Sequence, residues 1–112
     1  MCTKNQLEAI EEEMVNYYRS VYGDSIDTII LYGSYARGDY SDDSDIDITA
    51  IVRGNRVELQ KKLKKMWDFS TEVGLAYDVI VSPTVIPYDE FEQYKEKLPY
   101  YRNIVKEGRK IG

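Results

Sequence analysis

The chain has 112 residues, of which 43% are hydrophobic, and a net charge of −5 at neutral pH. This length accommodates one hydrophobic core, so we expect residues 1–112 to form a single domain. The sequence contains no histidine, which excludes Ser-His-Asp and Cys-His catalysis and histidine-ligated zinc. Metal chemistry in this chain therefore requires oxygen ligands, which favours Mg²⁺ or Mn²⁺.

The sequence also argues against a membrane span, secretion and extended nucleic-acid binding. No apolar run approaches the roughly 18 residues of a membrane span, and the first 13 residues are polar and acidic, unlike a signal peptide. The one cysteine, Cys2, cannot form a disulfide within the chain, which favours a cytoplasmic location. Residues 33–48 carry one arginine and five aspartates. Because the charge elsewhere is nearly balanced, we expect no extended nucleic-acid binding. The lack of a long apolar run predicts that the chain has no membrane contact.

Hydrophobic periodicity predicts the elements of the first half of the chain. Apolar residues at spacings of three and four predict a helix over residues 4–22. A short buried strand is predicted at 27–32, and a helical turn over 34–37 follows the glycine that breaks it. Strict alternation predicts a strand at 45–52 with two faces. One face carries Asp45, Asp47, Thr49 and Ile51, and the core face carries Ile46, Ile48, Ala50 and Val52.

The second half is predicted to add three helices and one strand. A helix over 56–73 has Trp67 on its buried side and ends at Gly74. A strand at 76–82 contains Asp78, and two prolines bracket the extended connection after it. Two further helices are predicted at 88–97 and 100–106. This order predicts an α/β (α+β) fold, with a small mixed sheet flanked by helices.

The candidate site lies between residues 31 and 48. Gly33-Ser34 is a turn whose backbone can approach a phosphate closely, and two carboxylates on one strand face follow. Gly33 and Gly38 are spaced as in a P-loop, but Asp39-Tyr40 follows instead of the Lys and Ser or Thr which that loop needs. The acids from Asp43 onward begin like an EF-hand loop but lack its glycine and glutamate. The stretch therefore predicts a nucleoside triphosphate and metal site of another type.

Asp78 is the candidate third carboxylate. It falls in the predicted apolar strand, where a lone carboxylate is costly unless it is paired or bound to metal. Taken alone, Asp45 and Asp47 are equally consistent with a solvated strand edge protected by charge. An acid from a second strand shifts the balance towards a cation site. Arg37 is left with two interpretations, a contact to the triphosphate or an ion pair with the acidic loop.

The motif Gly33-Ser34-x10-Asp45-x-Asp47, with Ala36-Arg37-Gly38-Asp39 inside it, resembles the signature of the DNA polymerase β-type nucleotidyltransferases. The tail, Pro99-Tyr-Tyr-Arg-Asn-Ile104 with Glu107-Gly108, resembles their minimal nucleotidyltransferase (MNT) subfamily. The resemblance covers essentially the whole chain and implies the polymerase β-type palm fold. It also implies catalytic and metal-binding roles for Asp45, Asp47 and Asp78, and nucleotide binding by Gly33, Ser34 and Arg37.

The same resemblance implies an activity and a partner. The activity is AMP transfer from ATP by in-line attack of a hydroxyl on the α-phosphate, with two Mg²⁺ ions or Mn²⁺ as the alternative. The partner is a helical HEPN-domain toxin, an RNase, which such an antitoxin binds in a hetero-oligomer and silences by adenylylating tyrosine. Two alternatives stay open: a subunit of a small-molecule (antibiotic-type) nucleotidyltransferase, and a binding antitoxin that acts without catalysis.

Overall fold

A four-stranded mixed sheet forms the centre of the computed structural model, which describes residues 3–112. The strand order is β3-β2-β1-β4, with β1 antiparallel to both β2 and β4, and β2 parallel to β3. The strands are β1 Ile26–Tyr32, β2 Ile46–Val52, β3 Val81–Pro87 and β4 Arg109–Lys110. The predicted small mixed sheet with flanking helices is confirmed. Cys2, on which the expected cytoplasmic location depends, lies outside the described residues.

Five α-helices of residues 3–112 surround the sheet: α1 Lys4–Tyr22, α2 Ser34–Arg37, α3 Arg56–Tyr77, α4 Tyr88–Tyr94 and α5 Pro99–Glu107. Helix α1 begins with a reciprocal cap, in which Thr3 and Gln6 each bond the other's backbone amide. Asn55 caps α3 by accepting from the amides of Val57 and Glu58. Within the described chain no helix is long and apolar enough to cross a membrane.

The two faces of the sheet pack against different helices. Helices α1 and α3 cover the face that carries Ile46, Ile48 and Ala50, as the alternation predicts. Helices α4 and α5 cover the opposite face, so that Thr49 and Ile51 are also buried. On that second face burial decreases towards the start of β2, where Asp47 is half-buried. The two acids therefore occupy the end of the face that the helices leave open.

The predicted boundary between α3 and β3 is wrong. Helix α3 continues through Gly74 to Tyr77, and β3 begins only at Val81. Gly74 permits the chain to fold back, because a Cβ there would lie 2.5 Å from the carbonyl oxygen of Val79. The prolines of this region lie inside β3, which is possible because β3 is an edge strand of the sheet.

Two further differences concern side chains and the C-terminus. Trp67 is 44% exposed rather than buried. Strand β4, which the sequence pattern does not predict, places Arg109 beside Glu11 of α1, with Nη2 donating to Oε2 at 2.6 Å. Glu11 is consequently buried and paired, although its position off the apolar stripe predicts a solvated residue.

Candidate nucleotide and metal site

The predicted phosphate turn and the predicted metal-binding strand are in direct contact. Tyr32, at the end of β1, lies opposite Asp47 in the antiparallel register, and Gly33 follows at once. Gly33 has φ 75° and ψ −157°, a conformation that essentially only glycine adopts. A Cβ at this position would lie 2.5 Å from Asp47 Oδ2. Glycine is therefore required twice, for the backbone angle and for the approach to the carboxylate.

The electrostatics at Asp47 favour a bound cation. Burial raises the pKa of the Asp47 carboxyl above its ordinary value, and the negative charge of Asp45 raises it further. The positive charge of Arg37 acts in the opposite direction and lowers that pKa. The two carboxylates repel each other at the exposed start of β2, and both offer oxygen ligands. Such a pair fits Mg²⁺, which uses one or two carboxylates together with phosphates and water.

Arg37 is held by two carboxylates. Its Nε donates to Asp39 Oδ2 at 3.2 Å, and its Nη1 donates to Glu107 Oε2 at 3.1 Å. The pairing with the acidic loop is thus one of the two predicted arrangements. The ion pair of Arg37 with Glu107, in the C-terminal tail, is not predicted by the sequence pattern. The only indication in the sequence is that this tail resembles the MNT subfamily. The side chain of Arg37 remains 41% exposed, so a ligand can also reach it.

Asp78 does not lie in a strand, and the argument from its burial is wrong. It is exposed and caps α3 in the left-handed conformation, with φ 56° and ψ 48°. It lies three residues before β3, as Asp45 lies directly before β2, so both acids are near the same edge of two parallel strands. Together with Asp42 and Asp43 it lines a cavity of about 640 Å³ beside the end of α3.

Asp45, Asp47 and Asp78 do not form a ready three-carboxylate cluster. Within residues 3–112 no group of three or more aspartate, glutamate, cysteine or histidine side chains is close enough to hold a metal ion. The core of the candidate site is therefore Asp47 on β2 and Asp45 directly before it, together with the Gly33 turn. The role of Asp78 stays a prediction.

A tyrosine pair beside the acids was also not predicted. The hydroxyls of Tyr32 and Tyr100 lie 2.8 Å apart, with their rings edge to face. Burial raises the pKa of Tyr32 well above its ordinary value, and the hydrogen bond with Tyr100 raises it further. The available signal was that Tyr32 directly precedes Gly33 and faces Asp47 across the hairpin. The approach of Tyr100 from α5 had no local signal.

The chain belongs to the nucleotidyltransferase domain family, whose model matches residues 8–111. Two similar proteins of Methanocaldococcus jannaschii both carry the name "Putative protein adenylyltransferase". One is 37% identical, in a match that covers 94% of this chain and 96% of the relative. The other is 32% identical, with 79% of this chain and 96% of the relative covered. The chain is therefore a nucleotidyltransferase, as its motif predicts.

Solved structures share the fold at low sequence identity. A chain of the MntA toxin–antitoxin complex with two Asp-to-Glu mutations matches with a TM-score of 0.57 and 16% identity, covering 91% of this chain and 72% of that one. A toxin–antitoxin complex with AMP-PNP gives a TM-score of 0.53 at 17% identity, with 90% and 72% covered. A complex of a tri-AMPylated Shewanella oneidensis HEPN toxin with its MNT antitoxin gives 0.53 at 16%, with 94% and 71% covered. At these identities the likeness establishes the fold, and the predicted palm fold is confirmed.

Proposed function

We propose that this chain is a Mg²⁺-dependent protein adenylyltransferase that transfers AMP from ATP to a tyrosine hydroxyl of a cognate HEPN-domain toxin and thereby acts as its antitoxin. The observation that carries the proposal is the contact between the Gly33 turn, which is predicted to bind phosphate, and the Asp47 carboxylate of the acidic pair. The names of the full-length relatives support protein adenylylation. The fold shared with antitoxins of HEPN toxins supports the partner.

The acids have the role of binding metal in this proposal. Asp45 and Asp47 would hold Mg²⁺, with two ions expected and Mn²⁺ as the alternative, and triphosphate oxygens would complete the coordination. The bound metal supplies charge neutralisation at the phosphate that undergoes attack. Asp78 is proposed as the third acid from its place at the same edge of the parallel strands.

The remaining residues of the site position the nucleotide. The Gly33 backbone and the Ser34 hydroxyl would bind the terminal phosphates, and Arg37 would offset part of their charge while Asp39 and Glu107 hold its guanidinium. The acceptor hydroxyl attacks the α-phosphorus in line with the leaving group. A new oxygen–phosphorus bond forms, the bond between the α- and β-phosphates breaks, pyrophosphate leaves, and the hydroxyl proton passes to base or solvent.

The test is an incubation of the chain with ATP, Mg²⁺ and the HEPN protein encoded beside it, followed by intact mass measurement of both chains. We expect an AMP-sized increment on the partner, abolished by Asp45→Asn with Asp47→Asn. Asp68→Asn, at an exposed acid of α3, is the matched control and should keep the increment. No increment, with neutralisation surviving the double substitution, would indicate a binding antitoxin. ATP turnover with a small acceptor only would indicate the small-molecule alternative.

Asp78→Asn tests the third acid separately. Asparagine also adopts the left-handed conformation, so the cap of α3 is retained and the variant folds. We expect transfer to be lost while the melting temperature stays near that of the wild type. Retained transfer would show that the site operates with Asp45 and Asp47 alone.

A further inference from the structure

We infer that Tyr100 is an acceptor of the chain's own transferase site, so that the protein adenylylates itself on Tyr100 within one molecule. The inference rests on the proposed function, since it uses the same AMP transfer from ATP to a tyrosine hydroxyl. It adds a modification site on this chain. Three features of Tyr100 carry it: its exposure, its place beside the site, and the kind of hydroxyl that it offers.

Exposure separates Tyr100 from the other tyrosines. The chain has eleven tyrosines, and all of them are among the described residues. Ten are buried or half-buried, whereas Tyr100 is 48% exposed. Its neighbour Tyr101 is only 7% exposed and packs against Phe91. A hydroxyl must be reachable to attack a phosphate, so among the tyrosines Tyr100 is the most accessible acceptor.

The exposed hydroxyl of Tyr100 lies beside the candidate site. Tyr100 lies in the first turn of α5, and its hydroxyl is 2.8 Å from the hydroxyl of Tyr32. Tyr32 is flanked by both halves of the site, because it lies opposite Asp47 in the sheet and directly precedes Gly33. Tyr100 is therefore hydrogen-bonded to Tyr32, the residue that lies between the Gly33 turn and Asp47.

The chemistry needs no reagent beyond ATP and the metal of the proposed reaction. The Oη atom of Tyr100 attacks the α-phosphorus of ATP, and an Oη–phosphorus bond forms as the bond to the β-phosphate oxygen breaks. Pyrophosphate leaves with the electron pair of that bond. The hydroxyl proton passes to solvent, which reaches this side chain because it is half exposed. The product is O-adenylyl-tyrosine at position 100.

The experiment uses the full chain with ATP and Mg²⁺ and without a partner. Intact mass is expected to show one AMP-sized increment, and fragmentation is expected to place it on Tyr100 rather than Tyr101. Tyr100→Phe should lose the increment, whereas the matched control Tyr94→Phe, at a half-buried tyrosine of α4, should keep it. The observed first-order rate constant should not depend on protein concentration. An added Asp47→Asn chain of distinguishable mass should stay unmodified beside the wild type.

Each contrary result refutes a stated part of the inference. An undiminished increment on Tyr100→Phe, or a fragment map to another tyrosine, rejects Tyr100 as the acceptor. AMP on the added Asp47→Asn chain rejects transfer within one molecule. If the wild type adenylylates its HEPN partner but gains no AMP itself, self-modification fails and the proposed function stands. If neither protein gains AMP, both fail. The Tyr100→Phe variant should still adenylylate the partner, and that result would show that the transferase site of the variant is intact.

Discussion

Gly33→Ala tests the contact between the phosphate turn and the Asp47 carboxylate. The substitution adds one methyl group, which would lie 2.5 Å from Asp47 Oδ2. Ordinary contacts at a Cβ begin at 3.4 Å, so the carboxylate or the turn must move by roughly 1 Å. The backbone angles of Gly33, φ 75° and ψ −157°, add strain for any residue with a Cβ.

Both effects have expected magnitudes. Strain in this backbone region costs about 1–3 kcal/mol. For a domain of this size that corresponds to a fall in melting temperature of roughly 4–12 °C. A displacement of about 1 Å at a catalytic group reduces a rate by about 100-fold. We therefore expect Gly33→Ala to melt earlier and to transfer AMP about 100-fold more slowly than the wild type.

Gly38→Ala is the matched control for this substitution. Gly38 also has a positive φ, 89°, but nothing lies within 4 Å of the position of its Cβ. It therefore isolates backbone strain from the clash with Asp47. We expect Gly38→Ala to lose stability while it transfers AMP near the wild-type rate. The assays are thermal denaturation by circular dichroism and intact mass of the acceptor over time. Equal transfer rates in the two variants would refute the proposed contact.

Two further predictions concern ionisable groups. Because the folded-state pKa of Asp47 is raised above 3.8, its ionisation destabilises the fold as pH rises through the raised value. Asp47→Asn should therefore melt higher than the wild type at pH 7 without divalent cations, and this advantage should vanish below pH 3.8; equal melting at pH 7 would contradict it. Glu11→Gln weakens the two-pronged pair with Arg109 and should cost about 1 kcal/mol in chemical denaturation. Glu12→Gln, at the exposed neighbour of Glu11, should stay within about 0.5 kcal/mol, and equal losses in the two variants would show that the Glu11–Arg109 pair adds nothing.

The centre of the fold was predictable because its signals are local. The period-two alternation of β2 predicts that Asp47 lies on one face of the sheet and Ile48 on the other, and the structure confirms both positions. Gly33 marks the end of β1, since only glycine tolerates the turn that follows. The match of the whole motif to a family signature then predicts the palm fold.

The errors arose where tertiary contacts override local signals. The glycine at position 74 predicts a helix end, but it lies inside α3, where the absence of a Cβ leaves room for the carbonyl group of Val79. Because the helix end is predicted too early, β3 is also predicted too early in the chain. Asp78 is then predicted to lie in a buried strand, whereas it caps α3. Tyr100 reaches Tyr32 across 68 positions of the sequence, and no local pattern reports such a contact. Hydrophobic periodicity therefore could not predict that Tyr100 lies beside Tyr32.

The most direct measurement of the central claim follows the two ends of ATP separately. The chain and its proposed HEPN partner are incubated with Mg²⁺ and with ATP labelled at either the α- or the γ-phosphate, and protein-bound label is counted. We predict label on tyrosine from the α-phosphate only, and none when Asp45 and Asp47 are both replaced by asparagine. Label from the γ-phosphate, or α-label that persists without these two acids, would contradict the account.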